Sequence, residues 1–223
     1  MTRILAIDTS TDACSAALLC GNKIYDRFAI APQQHTKLLL PMVHELLAEV
    51  QLTLNQLDAI AFGCGPGSFT GIRLAASVVQ GLAYAANLPV VKVSTLCALA
   101  QEVYKELGNP MVLVAQDARM QEIYWGKYRV DNEGIMRAVV PDQLIAPQKV
   151  VGVSDNGWIG VGNGWKIYGD ILTKHCNIPI VESKIYPQAK YITQIAAVDF
   201  SVGLMVSAEE ALPTYLREEV AWT

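Results

Sequence analysis

The order of strand and helix patterns in the first hundred residues is the feature that most limits what this chain can fold into. Three apolar strand candidates come first, and Gly21 and Asn22 between the second and third are typical of a hairpin turn. Apolar residues then recur at helical spacing, at Leu39, Val43, Leu46 and Val50. The predicted elements are strands at residues 3–7, 15–20 and 23–30, a helix at 36–50, a strand at 57–62, a helix to about 87 and a strand at 89–94.

The later sequence contains a trace of the same order. ILAIDTSTDACSAALL at residues 4–19 has a counterpart in VLVAQDARMQEIYWGKYRV at residues 112–130, and each predicts a strand ending at an aspartate, Asp8 or Asp117. Residues 158–172 then predict a strand, a glycine turn and a helix, and residues 190–200 another helix. This order resembles the ribonuclease H-like half of the actin and Hsp70 ATPase (ASKHA) superfamily. We therefore predict an α/β protein of two such lobes, the second reduced, divided into domains 1–106 and 107–223 near the helix-stop residues KELGNP.

Composition excludes several classes of function. Lys and Arg total 17 against 21 acidic residues, so the chain has no overall basic field for a polyanion. Five cysteines without a C-x-x-C pair argue against a disulfide framework and a thiolate zinc site. With 52% hydrophobic and 17% charged residues, the chain is apolar enough to reserve surface for a partner. The N-terminus shows no signal peptide and no segment spans a membrane, so we expect a cytoplasmic protein.

A glycine-rich corner, AFGCGPGSFTGIRLAAS at residues 61–77, separates a predicted strand from a predicted helix. Helix N-termini in this position often bind phosphate. A Walker loop is excluded because no lysine lies between Lys37 and Lys92. A dinucleotide pattern lacks its third glycine at Ser68, and a nucleophile elbow would need glycines at Pro66 and Thr70. Ser68 or Thr70 can instead cap the helix, so phosphate binding and capping both stay open.

Asp8 has two interpretations. It stands where the superfamily places its first phosphate or metal carboxylate, but an aspartate can also order its own turn. The three histidines lie too far apart to bind one metal from a helix, so we predict no metal site and no catalytic residue. A weak nucleotide or phosphate remnant is predicted at Asp8, Thr9, Ser10, Gly65, Gly67 and Ser68.

The helix after the glycine corner carries two rows of interest. Ser77, Gly81 and Ala85 form a row of small residues, which allows another helix to approach closely. Leu74, Val78 and Leu82 form an apolar row beside it. Core packing within the chain and a helix interface with another chain are both compatible with this pattern.

Four motifs together resemble the TsaB (YeaZ) family over the whole chain. They are DTST at residues 8–11, GPGSFTGIR at 65–73, DARMQEIYWG at 117–126 and PTYLREEVAW at 213–222. The resemblance implies a bacterial subunit of the machinery that makes N6-threonylcarbamoyladenosine beside the anticodon of tRNAs reading codons that begin with A. In that machinery TsaD, which is similar in fold, holds the metal and performs the transfer.

Comparison with TsaD argues for a non-catalytic role. TsaD-like chains carry a sequence like NHLEGH with two metal-binding histidines, whereas VSTLCAL at residues 93–99 places Thr95 and Leu99 at those positions. Neither side chain can replace imidazole as a ligand. We therefore expect a scaffold without a cofactor of its own, with ATP or ADP only at a partner interface. An independent nucleotide-binding enzyme and a peptidase stay as alternatives, although no serine or cysteine has an evident base.

The resemblance also implies partners. They are a TsaD-like catalytic subunit, a TsaE-like ATPase that docks on the pair, a second copy when the partner is absent, and tRNA mostly through the partner. The helices at 36–50 and 70–87 would form a helix bundle with the TsaD-like chain. The predicted interface residues are Leu39, Val43, Leu46, Thr70, Arg73, Leu74, Ser77, Val78, Gly81 and Leu82.

Overall fold

The computed structural model of the chain describes residues 1–153, 155–183 and 185–217. These residues form β1 (Arg3–Asp8), β2 (Ala13–Cys20), β3 (Lys23–Ile30), α1 (His35–Glu49), β4 (Ala59–Gly65), α2 (Phe69–Ala86), β5 (Val90–Ser94), α3 (Thr95–Leu107), β6 (Met111–Asp117), β7 (Ile123–Val130), β8 (Met136–Ile145), β9 (Ile159–Val161), α4 (Asn163–His175), β10 (Ile180–Val181) and α5 (Ala189–Ser201). Within the described ranges, none of the helices has the length and hydropathy needed to cross a bilayer.

The first sheet has the strand order β3-β2-β1-β4-β5. β1, β2 and β3 are antiparallel neighbours, whereas β4 runs parallel to both β1 and β5. The predicted meander and the α-β-α-β order after it are confirmed. β1 is buried on both faces, because successive residues from Ile4 to Ile7 are all 0% exposed. α1 packs on β2 and β3, α2 packs on β4 and β1, and α5 contacts all five strands of this sheet.

Two element boundaries differ from their predictions around the glycine corner. The strand predicted at 57–62 runs from Ala59 to Gly65, because Gly63 and Gly65 continue the pairing with β5. α2 then begins at Phe69, directly after its N-cap Ser68. It ends where Asn87 adopts the left-handed conformation, which is a common way for a helix to stop.

The second sheet confirms the internal repeat. Its order is β10-β9-β6-β7-β8, which is the first order with β6 in the place of β1 and β9 in the place of β4. β6, β7 and β8 are antiparallel neighbours, and β9 is parallel to β6, as in the first sheet. The copy is shorter: β9 and β10 have three and two residues. In the first sheet, α1 connects β3 to β4. At the corresponding place in the second sheet, between β8 and β9, the described residues contain a 3-10 turn at Pro147–Lys149.

The chain forms two compact units. The first comprises residues 1–98 and 186–214, and the second comprises residues 99–185 and the described residues from Tyr215 onward. α5 follows the second sheet in the chain but belongs to the first unit. The division predicted from the sequence, after residue 106, places α5 in the second domain instead. No local sequence signal marks which sheet a helix will cover.

Candidate functional site

Asp8 ends β1 in a fully buried position. One of its carboxylate oxygens, Oδ1, accepts hydrogen bonds from the backbone N–H and the hydroxyl of Ser10, at 3.1 and 2.9 Å. The other, Oδ2, is buried without a hydrogen-bond partner among the described residues. Burial raises the pKa of Asp8 to about 7, and the two bonds from Ser10 oppose that rise. Asp8 therefore orders its own turn, one of its two predicted roles, and leaves one oxygen unsatisfied.

The glycine corner packs directly on the turn after β1. A Cβ at Gly71 would lie 2.0 Å from the carbonyl oxygen of Thr9, and a Cβ at Gly67 would lie 2.6 Å from that of Ser10. Hydrogen bonds join the same segments: Ser68 N–H donates to Ser10 O at 2.7 Å, and the Thr9 hydroxyl donates to Gly71 O at 2.7 Å. The glycines are required here because two stretches of the chain's own backbone meet without space for a side chain.

Ser68 caps α2, as one interpretation of the sequence predicts. Its hydroxyl oxygen accepts from Gly71 N–H at 3.4 Å, and its carbonyl accepts from Ile72 N–H at 2.9 Å. Two N–H groups at this helix N-terminus, those of Ser68 and Gly71, are thus bonded within the chain. Ser68 is consequently a structural residue of the helix start.

Gly65 contacts the C-terminal segment of the first unit. Its φ is +116°, and a Cβ there would lie 2.8 Å from the carbonyl oxygen of Thr214. Thr214 N–H donates to Cys64 O at 2.8 Å. Only Pro213–Arg217 of the C-terminal motif falls within the described residues, and the predicted motif residues 218–222 lie outside them.

The structure brings together most of the residues predicted for a nucleotide. Asp8, Thr9 and Ser10 adjoin Gly67 and Ser68, whereas Gly65 faces Thr214. All the contacts described above are made within the chain. Nucleotide binding stays a prediction, and the unsatisfied oxygen of Asp8 is the one feature that favours it.

Thr95 and Leu99, which the resemblance to TsaD predicts at the positions of two histidines, have structural roles within the chain. The Thr95 hydroxyl donates to the carbonyl oxygen of Pro66. Leu99 is 0% exposed. In the described part of the chain, no three His, Cys, Asp or Glu residues come together in a way that could hold a metal ion.

The predicted interface residues of α1 are core residues. Leu39, Val43 and Leu46 are between 0 and 4% exposed and belong to the core cluster under the first sheet. The interface prediction for these three residues is therefore wrong in this fold. The apolar spacing identified the buried face of α1 correctly, but that face packs on β2 and β3 of its own unit.

One face of α2 is exposed or partly exposed in the described part of the chain. We call it the outer face of α2, and it comprises Thr70, Arg73, Leu74, Ser77, Val78, Gly81 and Leu82. A Cβ at Gly81 would have no atom of the described residues within 4 Å. Val78 and Leu82 also pack against the edge of the core, so the apolar row serves both interpretations. The interface role of this face stays a prediction.

Two aromatic residues of α2 were missed by the sequence prediction. The guanidinium carbon of Arg73 lies 3.5 Å from the ring centroid of Phe69. Their spacing of four residues is the signal that predicts such contact on a helix. Tyr84 is 76% exposed beside Ala85, at the far end of the outer face of α2.

The second unit repeats the strand-end construction. Asp117 Oδ1 accepts from Arg119 N–H at 3.0 Å and from the Tyr168 hydroxyl at 3.3 Å. Gly162 and Gly164 approach the carbonyl oxygen of Ala115, where a Cβ at either glycine would lie within 2.8 Å. In both units, glycines after a parallel strand thus pack on the backbone at the end of the neighbouring strand.

Comparisons with known proteins agree with this architecture. The family model of TsaD, tRNA N6-adenosine threonylcarbamoyltransferase, matches residues 29–219. The chain is 39% identical to tRNA threonylcarbamoyladenosine biosynthesis protein TsaB of Escherichia coli over 99% of this chain and 96% of that protein. It is 40% identical to TsaB of Haemophilus influenzae, with 98% and 95% covered.

Solved structures show the same fold. The solved structure of YeaZ from Pseudomonas aeruginosa has a TM-score of 0.89 at 41% identity, covering 97% of this chain and all of that one. A second Pseudomonas aeruginosa structure, of an uncharacterized protein with similarity to peptidase YEAZ, has a TM-score of 0.91 at 42% identity. With a two-lobe actin-like fold and relatives aligned over nearly its whole length, the chain belongs to the TsaB (YeaZ) family.

Proposed function

We propose that this chain serves the biosynthesis of N6-threonylcarbamoyladenosine in tRNA as a non-catalytic subunit that binds a TsaD-like transferase. One observation carries the proposal: the chain's own backbone packs closely at the strand ends, while the outer face of α2 is exposed or partly exposed in the described part of the chain. Membership of the TsaB family supports the pathway. Thr95 and Leu99 at the histidine positions support the absence of transfer chemistry in this chain.

The outer face of α2 suits contact with another helix. Ser77, Gly81 and Ala85 are exposed and small, so they allow two helix axes to approach more closely than larger side chains would. The transferase is the proposed primary partner, and a second copy occupies this face in its absence. A TsaE-like ATPase then binds the pair. tRNA is held mainly by the transferase, in keeping with the net charge of −4 of this chain.

Gly81→Leu tests this interface without disturbing the fold. A Cβ at Gly81 would meet no atom of the described residues within 4 Å, whereas a charge at Leu82 would also disturb the core. We expect the dissociation constant for the transferase to rise by about tenfold or more, because the bulky side chain separates the helices. Isothermal titration calorimetry measures it.

Gly169→Leu provides the matched control. Gly169 lies in α4 of the second unit, and a Cβ there also meets no atom within 4 Å. It should leave the affinity unchanged. Equal affinity of the Gly81→Leu variant and the unmodified chain, with both folded, would remove the outer face of α2 from the proposal.

A nucleotide-dependent activity of the chain itself is the second candidate. The buried, unpartnered Oδ2 of Asp8 favours it, because such an oxygen ordinarily has a ligand or donor. Calorimetry with millimolar ATP, with and without Mg²⁺, tests it: heat that Asp8→Asn abolishes would support the activity, and no heat would remove it. A peptidase has less support, since burial raises the pKa of the Cys14 thiol to about 11 and Ser68 caps α2.

A further inference from the structure

We propose that the turn between β6 and β7, at residues 119–121, is a contact site for a protein partner that offers a carboxylate beside an apolar hollow, namely the TsaE-like ATPase. The inference rests on the proposed function, because it concerns the same assembly. It adds a surface in the second unit to the outer face of α2, which lies in the first.

The 119–121 turn has a backbone conformation that its residue types disfavour. Arg119, Met120 and Gln121 have φ of +64°, +52° and +59°. A hydrogen bond from Glu122 N–H to Arg119 O, at 3.0 Å, closes the turn over Met120 and Gln121. Hairpin turns with two central residues of positive φ favour Asn-Gly, because other side chains are strained there. The other non-glycine residues of positive φ in the described ranges occur singly. The chain thus keeps three long side chains where other residue types would suit the fold better, which is typical of functional positions.

The base of the turn is held by side chains on both sides. Asp117 Oδ1 accepts from Arg119 N–H at 3.0 Å. Arg217 pairs with Glu122 at 2.8 Å and donates to the carbonyl oxygen of Ala118 at 3.2 Å. A turn fixed in this way has little conformational entropy to lose when a partner binds. The strained backbone therefore presents its side chains in one preorganised arrangement.

The side chains of the turn combine a cation with apolar surface. The Arg119 side chain is 88% exposed, although its Nη1 lies 3.3 Å from Oδ2 of the buried Asp117 carboxylate. Most of the guanidinium thus faces solvent, and its planar donors match a carboxylate. Met120 is 65% exposed, and its flexible thioether can fill an irregular apolar hollow. A partner that fits both side chains must offer a carboxylate next to such a hollow.

The charges around the turn favour a protein over tRNA. Arg119 and Arg217 form ion pairs with Asp117 and Glu122, respectively, so the two cations are balanced by two anions. A balanced cluster creates no field that attracts a polyanion, and a phosphate backbone offers no apolar hollow to Met120. The transferase is assigned to α2 in the first unit, so we assign the turn in the second unit to the ATPase.

The experiment titrates the TsaE-like ATPase into the preformed complex of the chain with its transferase. Calorimetry at about 50 mM and about 500 mM salt gives both the affinity and its dependence on screening. We expect Arg119→Gln to weaken binding of the ATPase by about tenfold or more at low salt and to reduce the salt dependence. Arg119→Lys should keep the salt dependence but recover only part of the affinity, because an ammonium has no planar pair of donors.

Met120→Asn combined with Gln121→Gly separates recognition from folding. Asn and Gly suit this turn, so the melting temperature of the double variant should rise by roughly 3–6 °C. The same variant lacks the thioether, so its affinity for the ATPase should fall by about tenfold while the salt dependence is kept. A turn with a structural role alone would gain stability and lose no affinity.

Lys166→Gln is the matched control for loss of one positive charge. Lys166 is exposed on α4 in the second unit, and its replacement should leave the affinity and the salt dependence unchanged. Each variant is also titrated with the transferase alone, and we expect the affinity of the unmodified chain in every case.

Several results would overturn the inference. Unchanged affinity for the ATPase in Arg119→Gln and in the double variant would leave the turn a structural role alone. A loss confined to the transferase titration would assign the turn to that protein, and a loss confined to tRNA binding would identify a nucleic-acid phosphate. Absence of ATPase binding to the complex of the unmodified chain would also contradict it. If Gly81→Leu still weakens binding of the transferase in any of these cases, the proposed interface of α2 stands and only the role of the turn is wrong.

Discussion

At the scale of single residues, the carboxyl group of Asp8 couples stability to pH. Its pKa in the folded protein is about 7, against an ordinary value of 3.8. Between these values the folded chain holds a proton that the unfolded chain has released. The stabilising effect of this proton is complete below about pH 4 and is lost as the pH rises through 7. The loss amounts to at most about 4 kcal/mol.

Asp8→Asn should remove this dependence. Asparagine keeps an oxygen for the bonds from Ser10 and carries no charge at any pH, so the stability of the variant relative to the unmodified chain should rise by a few kcal/mol between pH 5 and pH 8. Urea denaturation at several pH values measures it. Asp12→Asn, an exposed change in the same turn, controls for loss of a carboxylate. Parallel pH profiles for Asp8→Asn and the unmodified chain would contradict the account of Asp8.

Two glycines of α2 should respond in opposite directions to the same substitution. Gly71→Ala places a methyl group 2.0 Å from a backbone oxygen, and we expect it to destabilise the fold by about 3 kcal/mol. Gly81→Ala meets nothing within 4 Å and should stabilise the helix by about 0.5–1 kcal/mol. Chemical denaturation of both variants measures the difference. Similar effects of the two changes would mean that the corner is not closely packed on the turn after β1.

At the scale of elements, the two faces of α1 have different roles. Leu46→Ala removes a side chain that is 0% exposed, so it should cost about 2–5 kcal/mol of unfolding free energy. Leu40→Ala, on the same helix but 52% exposed, should change stability by less than about 1 kcal/mol. Denaturation midpoints compare them. Equal costs would contradict the assignment of the Leu39, Val43 and Leu46 face to the core.

The sequence predicted the positions of strands and helices better than it predicted what packs against them. The strand predicted at 23–30 is β3 as observed, because alternation and a hairpin turn are local signals. Whether the apolar face of α1 packs on its own sheet or on a partner was not predictable, since a core and an interface demand the same apolar spacing. The close contacts of Gly67 and Gly71 with Ser10 and Thr9 were also beyond prediction, because they join residues about 60 positions apart. The helix cap at Ser68 was predictable from residue type alone.

At the scale of the whole molecule, the two sheets share one strand order, but the second has shorter strands than the first. The first unit keeps the helices α1 and α2 around its sheet, and the second has short strands β9 and β10. In both units, glycines bring backbone segments together at the strand ends. These features are consistent with the proposal that the chain acts through an exposed helix face, and its place in the TsaB family supports a role in tRNA threonylcarbamoyladenosine biosynthesis.

The most direct test of this account is threonylcarbamoyl transfer to tRNA in a reconstituted reaction with TsaC-, TsaD- and TsaE-like proteins. The reaction is run with the unmodified chain, without it, and with Gly81→Leu or its control Gly169→Leu. We predict product with the unmodified chain and with Gly169→Leu, and a loss of product on omission and with Gly81→Leu. Equal product with and without the chain would contradict a required subunit. Full activity of the Gly81→Leu variant would contradict action through the outer face of α2.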